Sequence, residues 1–156
     1  MTDRPRVSIR CANEDKQYTL VLLDVDHSDL GTQKRVQRLL WLRYSIEIFN
    51  GRHGIGKANP TGTAAVPYTP PRPERGTGTH RLAFVLLEQK AGQAGVPVPP
   101  SPEFTLRRHL LEDAGLSISG LAFCRTFWTK HVADGRIFGT ITPVYKGPQL
   151  SRYAII

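Results

Sequence analysis

Four of the seven residues from Pro67 to Pro73 are proline: Pro67, Pro70, Pro71 and Pro73. Proline fixes φ near about −65° and removes a backbone donor, so neither a helix nor an interior strand can pass through this stretch. Gly76 and Gly78 follow at Gly-x-Gly spacing, then His80-Arg81, then the apolar run Leu82–Leu87. The chain must make a rigid corner and enter a buried strand directly from it. Glycines in such a corner let backbone approach a ligand or another strand closely.

The remaining elements follow from periodicity. Val7–Arg10 alternates apolar and polar and reads as a short strand. Tyr18–Leu23 is a continuous apolar, β-branched run, the length of a buried strand and too short for a helix. It ends in "DVDHSD", read as a polar corner, and Gly31–Arg38 as a loop or helical turn. Leu42, Tyr44, Ile46 and Ile48 alternate with Arg43, Ser45 and Glu47, so a strand with one apolar face is expected. Asn50–Thr63 and Ala91–Pro102 read as Gly/Pro loops. A helix is expected after Ser101 as cap, with Pro102 in its first turn, Leu106, Leu110, Leu111 and Ala114 on its apolar face, and Gly115 as its stop. Leu121–Trp128 reads as a strand. From Thr129 on, the chain is either a helix or a hairpin turning at Ala133–Gly135. Several strands separated by long Pro/Gly loops favour a β-sandwich over a parallel sheet.

The chain has 156 residues, 40% of them apolar, enough for one core in a single domain covering residues 1–156. The core is expected over about 7–128, with 129–156 as a C-terminal element. No apolar run approaches the eighteen or so residues of a membrane span. The two cysteines, Cys11 and Cys124, make neither a disulfide framework nor a zinc site, and a reducing compartment is the default. The first ten residues are a poor secretory signal and a weak organelle presequence. The net charge is +8. An excess of this size points to a polyanionic neighbour, and cations spread over loops suit phosphate contact without base reading. Their alternative is a solvated surface.

Three motifs bear on chemistry. "GRHGIGKA" (Gly51–Ala58) approaches a phosphate-loop signature, but Ala58 stands where a magnesium-ligating hydroxyl is required. Asn59-Pro60 then forbids the helix that should follow. A basic surface loop, touching phosphates through Arg52, His53 and Lys57, is the better reading. Asp24, Asp26 and Asp29 cluster near His27, without the glycine and distant glutamate of a calcium loop, and read as a polar turn. His80 could meet an anion or a neighbouring carbonyl. No nucleophile arrangement follows from spacing.

In order, "YTLVLLDVD", "LLWLRYSIEIFNG", "PYTPPRPERGTGTHRLAFVLLEQ" and "GLAFCRTFW" resemble the landmarks of the phosphatidylethanolamine-binding protein family, from about Val7 to Trp128. The resemblance implies a β-sandwich with one or two small peripheral helices and an anion pocket between its loops. Asp24 and Asp26 match the two aspartates of the family's first motif, and His80 matches its loop histidine. Leu40 stands in place of the histidine before the tryptophan, and Leu82 in place of the tyrosine after His-Arg. Leucine cannot donate a hydrogen bond to phosphate, so Asp24, Asp26 and His80 are expected to form a vestigial pocket with no ligand or cofactor. Family members carry several dozen residues before the strand at Tyr18, so the resemblance implies a sandwich lacking N-terminal strands or completed by a neighbour.

The branch of the family found in the mitochondrial large ribosomal subunit is the most similar, through Pro67-Tyr68, Pro70-Pro71, Pro73, Arg75-Gly76, Gly78 and His80-Arg81-Leu82. That resemblance implies a non-catalytic ribosomal protein of the mitochondrial matrix, at the central protuberance. Its partners would be rRNA and other mitochondrial ribosomal proteins, with Arg35, Arg38, Arg52, Lys57, Arg72 and Arg75 as candidate rRNA phosphate contacts and no metal. The rival expectation is a soluble family member that binds an anionic ligand or phospholipid head group and regulates an enzyme.

Overall fold

The computed structural model describes residues 5–9, 15–29, 31–32, 34–47, 62–93, 95–96, 98, 104–133, 136–144 and 153–155. The fold is mainly β, as expected. Strands β1 (Arg6–Ser8), β2 (Gln17–Ser28), β3 (Arg35–Glu47), β4 (Thr63–Val66) and β5 (Thr79–Glu88) precede α1 (Leu106–Asp113), the one helical element among the described residues. Strands β6 (Ser117–Ala133), β7 (Arg136–Val144) and β8 (Tyr153–Ile155) follow it. Six of the strands form one antiparallel sheet in the order β4-β3-β2-β5-β6-β7, and β1 pairs with β8 in parallel.

The continuous apolar runs of β2 and β5 are explained by burial on both faces. On one face, Tyr18, Leu20, Leu22, Leu82, Phe84 and Leu86 pack with Val7 and Ile9 from the β1 segment. On the other, Val21, Leu23, Ala83, Val85 and Leu87 pack beneath Val96, Phe104, Leu110 and Leu116. The sheet is therefore the middle of a layered structure. The β1 segment covers one side, and α1 with its preceding loop covers the other.

Several sequence expectations are corrected. "DVDHSD" is no polar corner: β2 continues through it, with Asp24 opposite Leu82 and His27 opposite Val36. Residues Arg35–Arg38 are strand rather than loop or helical turn. The expected single apolar face of β3 is broken by bulges. The pairs Leu22↔Trp41 and Leu23↔Leu39 leave Leu40 as an extra residue, so Leu40 and Trp41 both enter the first cluster. A second irregularity lies between Tyr18↔Ile46 and Leu20↔Arg43. There Ser45 takes a left-handed φ of 55°, and Ile46 joins the first cluster while Leu42 stays in the second. Ile48 lies outside the described residues.

The helix is shorter than expected. Thr105, not Ser101, is the residue before it, and its hydroxyl makes no capping bond; Ser101 and Pro102 lie outside the described residues. Its winding is of the wide π type, with Ala114 N–H donating to His109 O. Gly115 follows at φ 64°, as a helix stop should. The last uncertain element resolves as a hairpin, with Ala133 opposite Arg136.

Candidate functional site

The proline corner is tied to β3 at both backbone and ring level. Thr69 N–H donates to Leu40 O at 2.8 Å, and Tyr68 packs edge-on against Trp41 with ring centroids 6.1 Å apart. Pro71 and Pro73 are buried while Arg72 and Arg75 are exposed. The corner then delivers His80 to the second position of β5, beside Asp24 near the end of β2.

Asp24 and His80 form a buried pair. His80 Nδ1 lies 2.7 Å from Asp24 Oδ2, and both side chains are almost wholly inaccessible. Asp24 Oδ1 accepts from Asp26 N–H at 3.0 Å. On its far side, His80 Nε2 lies 2.8 Å from Thr77 Oγ1, and the same hydroxyl reaches Glu74 O at 2.8 Å. Both imidazole nitrogens are thus occupied by protein groups. Leu40 and Leu82 are fully buried in the first cluster, so the positions where the family carries a histidine and a tyrosine are packed with hydrocarbon.

Asp26 does not share this cluster, contrary to the three-residue pocket expected from sequence. Residues 80 and 81 point to opposite faces of β5, and Asp26 goes with Arg81. Its carboxylate accepts from Arg81 N–H (2.9 Å), Nε (2.7 Å) and Nη2 (2.8 Å), and from Arg35 Nη1 (3.2 Å). The Arg81 bonds hold the Asp26 carboxyl down at about 2, against the opposing cost of burial. In return, Asp26 raises the Arg81 guanidinium above its ordinary value. His27, at the same strand end, is pushed down by burial and by Arg38. Asp29 accepts from the Thr32 hydroxyl at 2.6 Å and stabilises the β2–β3 turn.

The candidate phosphate contacts divide accordingly. Arg35 and Arg38 open β3 at this end of the sheet, with Arg38 opposite Asp24 and Arg35 opposite Ser28. Arg72 and Arg75 project from the proline corner. Arg52 and Lys57 lie outside the described residues. Sequence reasoning missed Thr77 and Thr126. Thr126 is paired with His80 across β5 and β6; its hydroxyl is fully buried and without a hydrogen-bond partner among the described residues. The only local sign of Thr77 was its place in Gly-Thr-Gly, where a hydroxyl bonds the carbonyl three residues back. Thr126 gave none, because its neighbour is distant in sequence. Cys124 is buried in the first cluster, its thiol pushed up to about 12 by burial; it packs rather than reacts.

The family model described as phosphatidylethanolamine-binding protein matches residues 2–120. Among solved structures, a phosphatidylethanolamine-binding protein from Plasmodium falciparum matches with a TM-score of 0.45 and 16% identity, over 74% of this chain. The chain spans 65% of the length of that protein. No helix among the described residues is long and apolar enough to cross a membrane.

Proposed function

Since the chain belongs to the phosphatidylethanolamine-binding protein family, we propose that it is a member given over to assembly rather than to ligand binding. In this reading it is a non-catalytic structural protein of the mitochondrial large ribosomal subunit, at the central protuberance. Basic residues contact rRNA phosphates and apolar surface contacts neighbouring proteins. One observation carries the reading: the family's anion cage is closed on itself. His80 is held on both nitrogens by Asp24 and Thr77, and Leu40 and Leu82 fill polar positions. An anion entering there would break hydrogen bonds and find hydrocarbon in place of two donors, a deficit of about 1–3 kcal/mol for each. The likeness of the proline corner to the ribosomal branch and the +8 charge support the same reading. Sucrose-gradient sedimentation of a mitochondrial lysate tests it: the protein should travel with large-subunit particles. Sedimentation only as a free monomer overturns it.

A second reading has its own observation. The orphaned hydroxyl of Thr126 beside His80 is what a site missing a small polar guest would leave. In that reading the protein binds a phosphate-bearing head group and regulates an enzyme. Titration calorimetry with inorganic phosphate and with phosphoethanolamine decides it. Binding heat that disappears on Asp24→Asn supports it, and no heat with either probe excludes it.

A further inference from the structure

Strand β6 carries a face that nothing in the described structure covers. The β5–β6 register is unbroken from Thr79↔Phe127 to Leu86↔Gly120, so Leu121, Phe123 and Arg125 share one face by alternation. They lie across from Val85, Ala83 and Arg81. Past the irregularity at Ser119, Ile118 returns to the same face opposite Leu87. Of the β5 residues on this face, Ala83, Val85 and Leu87 are buried in the second cluster. Their β6 neighbours stand in solvent: Ile118 is 55% exposed, Leu121 50% and Phe123 55%.

The end of this stripe is electrically unusual. Arg81 and Arg125 face each other directly across the two strands, a like-charge pairing that is unfavourable without an anion between them. Asp26 engages Nε and Nη2 of Arg81, which fixes that guanidinium in place and leaves Nη1 for another acceptor. Arg125 is exposed and has no ion pair among the described residues. Arg35 adds a second guanidinium to the single Asp26 carboxylate. The result is a pre-oriented, positively charged pair beside an exposed aromatic ring.

We propose that the sheet face formed by Arg81, Arg125 and Phe123 is a docking site for single-stranded RNA. A backbone phosphate bridges the two guanidiniums and an unstacked base lies on the Phe123 ring. The proposal rests on the reading of the protein as an RNA-contacting component, and names the surface and the form of RNA it takes. Charge complementarity selects the occupant. A phosphodiester relieves the repulsion between Arg81 and Arg125 through the bidentate geometry that guanidinium offers to phosphate. The ring two residues along the same strand is about 7 Å away, within reach of the same nucleotide. Aromatic residues on open sheet faces, flanked by arginine, stack bases with little regard to sequence. A duplex, whose bases are already stacked, would gain nothing from Phe123.

The test is fluorescence anisotropy of a labelled oligouridylate titrated with the purified chain, over a series of salt concentrations. Phe123→Ala and Arg125→Ala should each weaken binding by about 5- to 50-fold. Phe123→Tyr should hold affinity within about twofold. Arg125→Ala should lower the salt slope by about one, and Phe123→Ala should leave the slope unchanged. Both positions are exposed, and matching thermal melts will show that the variants fold. Unchanged affinity in Phe123→Ala overturns the proposal. So does a labelled RNA duplex that responds to the same variants as strongly as the single strand. A concentration-dependent dimer that Phe123→Ala dissolves also overturns it, by assigning the face to a second copy. Sedimentation separates this proposal from the reading beneath it. Wild-type protein that travels with ribosomal particles while the variants bind oligouridylate normally sinks this site alone. Wild-type protein that binds oligouridylate through Phe123 but does not travel with particles sinks the ribosomal reading alone.

Discussion

Asp24 and Asp26 are two residues apart and serve opposite faces of one sheet. Asp24 is the buried anchor of His80; Asp26 is a buried carboxylate that gathers the exposed guanidiniums of Arg81 and Arg35. Asp26 is the residue whose titration has a clear sign. Its folded value, about 2, lies below the ordinary 3.8, so it stabilises the fold fully above about pH 4. That contribution is lost as the pH falls toward 2. Because its arginine partners are largely in solvent, the contribution is discounted to roughly 1–2 kcal/mol. Asp26→Asn should therefore lower stability by that amount at pH 7, and the gap from the parent should close near pH 2. Urea denaturation at the two pH values checks this. Neither role was legible in local sequence. "DVDHSD" looks like a turn because its polar residues have no apolar rhythm. What keeps it in the sheet is a pair of partners, His80 and Arg81, that arrive more than fifty residues later. The family resemblance could match Asp24 with His80, but it could not show that Asp26 faces the other way.

Strand β3 shows what periodicity can and cannot give. Its existence was legible from the alternation of Leu42, Tyr44 and Ile46, but the alternation itself is not preserved in space. The left-handed Ser45 turns Ile46 to the other face, at a cost on the order of 1 kcal/mol for a residue with a Cβ. The compensation comes from Gln89. Its side-chain oxygen accepts from Ser45 N–H at 2.6 Å, while its amide donates to Gln93 O at 3.2 Å. Gln93 in turn donates to Ala114 O at the end of α1. One buried glutamine thus couples the β3 bulge, the turn after β5 and the helix terminus. Gln89→Ala should cost about 1–3 kcal/mol, because it leaves the Ser45 amide without its acceptor. Its effect should show in hydrogen exchange as lost protection at Ser45 rather than across the whole sheet. The loop entering β4 is similarly constrained: a Cβ on Gly62 would lie 2.3 Å from Tyr44 O. Bulges escape a sequence reading because a single inserted residue leaves the apolar count unchanged while reversing the faces.

At the scale of the whole molecule, the sheet is polarised. Arg35, Arg38 and Arg81 lie near the ends of β3 and β5 beside the proline corner, and Arg125, midway along β6, lies opposite Arg81. The sequence shows these arginines only as scattered; registration across four strands brings them together. The mainly-β architecture was legible because two continuous apolar runs require a sheet covered on both sides. The short strands were less so, since β4 and β8 are three or four residues long and β4, at the edge of the sheet, is exposed or half-exposed. The β1–β8 pair adds a constraint in time. Arg6 finds its partner in Tyr153, so the cover over Tyr18, Leu20 and Phe84 is completed only after every other described strand has been made. Such distant pairing is slow to close. During synthesis the sheet will form with one oily side still open, a state prone to wrong partners. A chain stopped after Val144 should keep its far-ultraviolet sheet signal while binding an apolar dye that the 156-residue chain excludes. The arrival of β8 is thus the event that shuts the oily side of a growing chain.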